Sequence, residues 1–275
     1  MGPEELRAWR EDGLVVSPRA FGAERLGQMR DCLERLLRDN AHIAPESLVC
    51  PHIPNGPRHD AAAAARWLEF ATDPLLLDAV EALIGPDLVL WGSQVFCKPA
   101  GTGREVPWHQ DGQYWPIRPL ATCSAWIALD EATPANGCMR YVAGSHRGGR
   151  LLAHRTRAGR EVVLNQEVDP AAIDPAAVRD DVLPAGGFSL HDVYLVHGSG
   201  PNRSARRRAA FVVRFMPATS RFERPAADRQ DQAGVSFSFG RRPLWLVRGR
   251  DRAGNDFRVG HGEDYQLVPR VADDG

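Results

Sequence analysis

The segment Val106-Pro-Trp-His-Gln-Asp-Gly places His109 and Asp111 two residues apart. On an extended strand side chains alternate between faces, so an imidazole and a carboxylate at this spacing project to the same side. A second histidine, His197, stands where the run Val193-Tyr-Leu-Val ends and the turn Gly198-Ser-Gly-Pro begins. Val193, Leu195 and His197 share strand parity, which puts the imidazole at a rim, facing inward and reachable by solvent. Two imidazoles and one carboxylate on one side of an ion leave three positions open. That set suits non-haem Fe(II), which needs them for a bidentate co-substrate and dioxygen. His191 has the same parity as His197 but lies six residues back, roughly 20 Å along an extended strand. Both cannot then bind one ion, and His197 is preferred because it borders the glycine turn.

An acidic co-substrate needs a cation. Eleven residues past His197, Arg208 opens the run Arg-Ala-Ala-Phe-Val-Val-Arg-Phe, and a hairpin through residues 201–205 would fold it back beside the His197 strand. A guanidinium there can grip a carboxylate with two parallel hydrogen bonds. Ser199, of the same parity as His197, can donate a further one. Arg206, Arg207 and Arg214 are alternatives, and parity leaves Arg206 and Arg214 open.

These groups need a scaffold, and the texture of the chain changes near residue 86. Residues 3–20 predict a short helix, a turn at Asp12-Gly13 and a brief strand, Leu14-Val-Val. Over residues 23–39, Leu26, Met29, Leu33, Leu36 and Leu37 recur at helical spacing on one face, a core-packing stripe. Residues 40–60, rich in Pro, Asn, His and Gly, read as a loop, with His42, His52 and His59 too irregularly spaced for a ligand set. A long loop within a compact domain often serves as a lid. A helix is expected from Asp60 through the alanine run, and Asp73-Pro74 matches the cap and first-turn proline of another that ends at Gly85-Pro86.

Beyond residue 86 the runs 88–98, 122–130, 139–142, 186–197 and 208–216 are short, β-rich and separated by Gly, Pro and Asn turns, with Asn136-Gly137 as a hairpin signal. Helices first and strands later suit a mainly β (α+β) domain, an antiparallel sandwich or barrel buttressed by helices. The expected organisation is one domain over residues 1–275, with a helical part to about 86, a strand core over about 87–220 and a C-terminal extension over about 221–275.

With 34 basic and 35 acidic residues the formal charge is -1, which argues against a nucleic-acid partner. No apolar run approaches the roughly 18 residues of a membrane span, and the opening Met1-Gly-Pro-Glu-Glu-Leu-Arg lacks the apolar core of a signal peptide. A cytoplasmic protein acting on a small molecule, as a monomer or small homo-oligomer, is the expectation. Cys32, Cys50, Cys97, Cys123 and Cys138 form no CxxC pair and read as free thiols rather than a zinc-thiolate site.

Taken together, the segments Lys98-Pro, Trp108-His-Gln-Asp-Gly, Ser124-Ala-Trp-Ile-Ala-Leu-Asp-Glu-Ala-Thr-Pro-Ala-Asn-Gly-Cys-Met, Gly144-Ser-His and His197-Gly-Ser-Gly-Pro-Asn through Arg208 resemble the phytanoyl-CoA dioxygenase family. The likeness is good over roughly residues 88–217 and looser over the N-terminal helices. It implies a double-stranded β-helix (jelly roll) and a requirement for Fe(II), 2-oxoglutarate and O2. Carried over residue by residue, it implies that His109, Asp111 and His197 bind iron and that Arg208 binds the distal carboxylate of 2-oxoglutarate. Ser199, Gln110 and Trp126 match positions lining the co-substrate pocket, and Lys98 matches a recurring family lysine.

Gln113, Tyr114, Trp115 and Arg118, just past the His-x-Asp pair, are expected on the substrate side. Related halogenating enzymes carry Ala or Gly in place of the carboxylate ligand, so Asp111 favours oxygen transfer. The expected outcome is hydroxylation of a C–H bond with release of succinate and CO2. Epoxidation, desaturation, cyclisation and epimerisation start from the same chemistry. Two rivals keep the fold. A cupin-like isomerase or hydrolase on zinc leaves Arg208 without a purpose, and a metal-free binding module would be expected to lack a ligand or the arginine.

Overall fold

The computed structural model describes residues 1–54, 61–157, 159, 162–224, 229, 230, 236, 237 and 239–261. Its helices begin and end where local chemistry directs. Asp73 caps the Pro74–Ile84 helix, its carboxylate accepting the Leu75 N–H at 3.0 Å, with Pro74 at the first position and Gly85 at the end. The Ala23–Asp39 helix buries Leu26, Met29, Leu33 and Leu36 as one stripe. Among the described residues no helix is long and apolar enough to cross a membrane.

Two antiparallel sheets face each other. The larger runs Leu14–Val16, Phe188–Asp192, Cys123–Ala128, Arg208–Pro217, Leu88–Lys98 and Trp245–Arg248, and the smaller runs Val178–Asp181, Met139–Val142, His197–Ser199 and Val106–His109. From residue 88 to residue 217 the chain passes back and forth between the sheets. Only Met139–Val142 and Val178–Asp181 follow one another within the same sheet. This is the jelly roll.

The Arg208–Pro217 strand shows what the alternation does. Ala209, Phe211, Val213 and Phe215 pack outward into the cluster that holds Met29, Leu33, Trp67, Phe70, Leu76 and Val80 of the helices. Ala210 and Val212 face inward with Trp126 and Met139. A strand covered on both faces reads as an unbroken apolar run, and each large side chain buried on the helical side contributes about 1.5–3 kcal/mol. The helices thus clamp the outer face of the larger sheet and leave its inner face to be furnished with polar groups.

Several expectations need correction. The 201–205 segment is not a hairpin: it links His197–Ser199 in the small sheet to Arg208–Pro217 in the large one, so Arg208 faces His197 across the interior. Asn136-Gly137 likewise joins strands of different sheets. It closes a 3-10 turn with Gly137 left-handed at φ 76°, and Asn136 Oδ1 accepts the Thr133 N–H. Within the 40–60 stretch, Leu48–Val49 pairs with Leu88–Lys98, so that part is a sheet edge; residues 55–60 lie outside the described residues, and with them His59. The C-terminal extension adds a strand, Trp245–Arg248, to the large sheet.

Candidate metal centre

His109 is the last residue of the Val106–His109 strand and pairs directly with His197, the first residue of the neighbouring strand. Their ring centroids lie 4.2 Å apart. In each case Nδ1 is tied to a carbonyl two residues back, His109 to Pro107 at 2.8 Å and His197 to Leu195 at 2.9 Å. A carbonyl oxygen can only accept, so each Nδ1 carries the proton and each Nε2 is left with a lone pair facing the interior.

Asp111 reaches the same point by a different route from simple strand alternation. The strand stops at His109, and a 3-10 turn over Asp111–Gln113 swings the carboxylate across. Gly112 permits the turn to pack, because a Cβ there would sit 2.6 Å from Leu120 Cδ2. Asp111 Oδ1 then lies 3.6 Å from His109 Nε2. One donor atom from each of His109, Asp111 and His197 can be chosen so that all three lie within 4.8 Å of one another.

The electrostatics suit a cation. Burial alone would push the Asp111 carboxyl up, but the imidazoles of His109 and His191 beside it and the Arg214 charge hold it well below the usual range. Burial, reinforced by the two neighbouring imidazoles, pushes His197 well below its ordinary value. The site therefore presents an ionised carboxylate and, at His197, a neutral imidazole, which are the forms that ligate metal. Two oriented Nε2 lone pairs and a carboxylate facing one cavity fit a two-histidine, one-carboxylate metal.

The cavity, of about 50 Å3, is lined by this triad and by Ser199 and, from the facing sheet, by Phe96, Trp126, Val212 and Arg208. Arg208 is buried; its Nε and Nη2 donate to Gly137 O at 3.1 and 2.8 Å, and its Cζ lies 5.3 Å from the Trp126 ring centroid. Lys98 pairs with Arg208 across the sheet and donates to Ser199 Oγ at 2.7 Å. Burial, and then the Arg208 charge, pull the Lys98 amine down to about 6. Of the alternative arginines, Arg206 and Arg207 face outward to Glu131 and to Glu34 and Asp130, whereas Arg214 lines the same cavity.

Not every expected residue arrives. Gln110 points away from the metal, as the residue after His109 on a strand must. Its amide nitrogen donates to Arg150 O and Tyr194 O, and its amide oxygen accepts the Leu152 N–H. Arg118 is exposed and folds onto the carbonyls of Ile117 and Trp115. Gln113 bonds Gln166 at 3.3 Å, the Tyr114 ring lies 6.4 Å from that of His109, and Trp115 is buried against Trp91.

His191 is the main surprise. The 186–197 run is not one strand: Asp192 Oδ1 accepts the Tyr194 N–H at 2.8 Å, an Asx turn that doubles the chain back. His191 therefore sits beside the centre rather than 20 Å from it. Its ring is 4.7 Å from that of His197, and its Nε2 is 3.6 Å from Asp111 Oδ2, which Ser124 Oγ also approaches at 3.4 Å. The Asp192-Val-Tyr sequence carried the signal.

The chain is 31% identical over 145 residues to a probable alpha-ketoglutarate-dependent hypophosphite dioxygenase of Stutzerimonas stutzeri, a match covering 52% of this chain and half the length of that relative. It is 26% identical to the ectoine dioxygenase of Sphingopyxis alaskensis, over 96% of this chain and 88% of that one. The apo structure of the non-heme monooxygenase ThoJ superposes with a TM-score of 0.68 at 28% identity, covering 93% of this chain and 91% of that one. The family model of phytanoyl-CoA dioxygenase (PhyH) matches residues 9–210, a span that takes in the small sheet, most of the large one, the triad and Arg208, and the chain belongs to that family.

Proposed function

We propose that this chain is an Fe(II)- and 2-oxoglutarate-dependent dioxygenase that hydroxylates a C–H bond of a small molecule. One observation carries the reading: a two-histidine, one-carboxylate triad and a buried arginine line opposite walls of a single cavity. When bound, iron and the keto acid supply the oxidant, one atom of O2 going to the substrate and the other to succinate as CO2 leaves.

The chain's own groups do the rest. His109, Asp111 and His197 hold the metal from one side. Arg208 uses one N–H of Nη2 on Gly137 O and one of Nη1 on Phe96 O, leaving an N–H on each for a bidentate grip on the distal carboxylate. Ser199 accepts from Lys98 and so can turn its own hydroxyl hydrogen to the same carboxylate. Phe96, Trp126, Met139 and Val212 wall the space with apolar surface, which excludes water from the reacting groups. The near balance of charge supports a small-molecule substrate rather than a nucleic acid.

The test is anaerobic loading with Fe(II) and 2-oxoglutarate, followed by aeration with a panel of metabolites. A metal-to-ligand charge-transfer band should form before aeration, and substrate-dependent succinate should follow. Equal turnover with zinc and no keto acid would sink the reading in favour of the isomerase or hydrolase.

Lys98 adds a pH dependence. Its amine titrates near 6 in the unliganded protein, and a dicarboxylate placed beside it favours the ammonium form. Binding then takes up a proton, so affinity for 2-oxoglutarate rises as pH falls from the higher bound value towards 6 and levels below it. Calorimetry in two buffers of different ionisation heat measures the proton directly; identical heats would show that Lys98 does not change its charge on binding.

A further inference from the structure

The Arg208–Pro217 strand carries two inward arginines, and the keto acid accounts for one. Register separates them. Arg208 is opposite Lys98 at one end of the inner face, while Arg214 is opposite Gly92 and Ser124, and Ser124 in turn is opposite His191. Arg214 thus belongs to the row beside Asp111. Six residue steps of strand, about 20 Å of backbone, separate the two, with the inward Trp126 and Val212 in that interval. Arg214 stacks on Trp115, with Cζ 5.4 Å from the ring centroid, and Arg208 stacks on Trp126.

Arg214 is short of partners. Among the described residues its side chain makes one hydrogen bond, Nη2 to Gln94 Oε1 at 3.3 Å, and its buried Nε has no acceptor. No carboxylate of the described residues pairs with it within 4.0 Å. The charge that most favours it is Asp111, which the metal claims. A second buried arginine, Arg242, adds to the positive potential: Arg214 Cδ and Arg242 Nη1 lie 3.9 and 4.0 Å from the point where a Cβ on Gly92 would stand. Arg242 likewise has no carboxylate partner among the described residues, its Nη1 resting on Cys50 Sγ.

A buried guanidinium without counter-charge is costly. In the loaded site a divalent ion, the Asp111 carboxylate, a doubly charged keto acid and Arg208 cancel one another, before Lys98 is counted. Arg214 is left as an excess positive charge on the wall of the same cavity.

We infer that the primary substrate carries an oxyanion, a carboxylate or its equivalent, and that Arg214 holds it. Gln94 and Trp115 fix the plane of the guanidinium, and the anchored group aims the remainder of the molecule at the triad. This rests on the oxygenase reading, since the charge count includes the metal and keto acid.

The test uses the anaerobic protein loaded with Fe(II) and saturating 2-oxoglutarate, titrated calorimetrically with benzoate and with its neutral isostere benzamide. Benzoate should bind about 10- to 100-fold more tightly, the range expected of a charge-assisted hydrogen bond. Arg214→Gln should abolish the preference. Arg214→Lys, which keeps the charge but not the fork, should retain only part of it. If the glutamine variant fails to fold, the lysine variant decides. Equal binding of the two probes by the unmodified protein, a preference that persists in a folded glutamine variant, or one that is undiminished in the lysine variant, overturns the proposal. Failure of the charge-transfer band to form in the unmodified protein would instead reject the oxygenase reading, and the heats would still report whether Arg214 selects anions.

Discussion

Asp111→Ala and His197→Ala should each lower substrate-dependent succinate formation by ~1000-fold or more. Loss of a partner outside the ligand set costs roughly 10–100-fold in affinity or activity, and removing a ligand should exceed that. The geometry gives no substitute. The two imidazoles are fixed by their own strands through carbonyls at 2.8 and 2.9 Å, so neither can move to fill the gap left by the carboxylate. His191 supplies the contrast. It stands as close to Asp111 as His109 does, at 3.6 Å, but as a neighbour of the carboxylate its removal should cost only the roughly 10–100-fold range. Metal content and succinate release, measured on all three variants, separate the roles. A His191→Ala loss equal to that of His197→Ala would mean that the ligand set has been assigned to the wrong imidazole.

Arg208→Met should raise the KM for 2-oxoglutarate by about 100-fold or more, the equivalent of one or two charge-assisted hydrogen bonds at roughly 1.5–3 kcal/mol each. The KM for the primary substrate should change little. Burial lowers the Arg208 guanidinium to about 10, so it stays charged at neutral pH and the loss is electrostatic. Methionine approximates the length of the side chain and keeps the contact with Trp126, but it strands Gly137 O, which Arg208 Nε and Nη2 satisfy at 3.1 and 2.8 Å. Some loss of stability should therefore accompany the kinetic effect, and a melting curve distinguishes the two. An unchanged requirement for the keto acid would hand the role to Arg214, the other arginine on that wall.

Much of this was legible before any coordinates. The Asp73-Pro74 cap, the leucine stripe of residues 23–39 and the alternation of Arg208–Pro217 are local signals, and local signals fix local structure. The triad was readable because its spacing recurs with Arg208 and the glycine turn in one family. What escaped the sequence depends on where strands go rather than on what they are. A three-residue strand such as His197–Ser199 carries no mark of the sheet it will join, so the crossing at 201–205 looked like a hairpin. His191 was discounted by treating residues 186–197 as straight, although Asp192 was placed to bend them. Gln110 was expected in the pocket from the family match, but next to His109 on an extended segment it points to the opposite side, and Arg118, expected because it follows the His-x-Asp pair, folds back onto its own backbone. Trp245–Arg248 finds its place only by pairing with a strand some 150 residues earlier.

The imidazole cradle has one last consequence. A zinc finger takes its shape from its ion; here each ring is oriented by a bond to its own strand, and the ion is owed nothing for the shape. Folding can finish first and loading follow. Because nitrogen and oxygen sites of this kind rank the divalent metals by affinity in an order that does not single out iron, geometry, ligand type and the supply of metal together decide the occupant of the finished vessel.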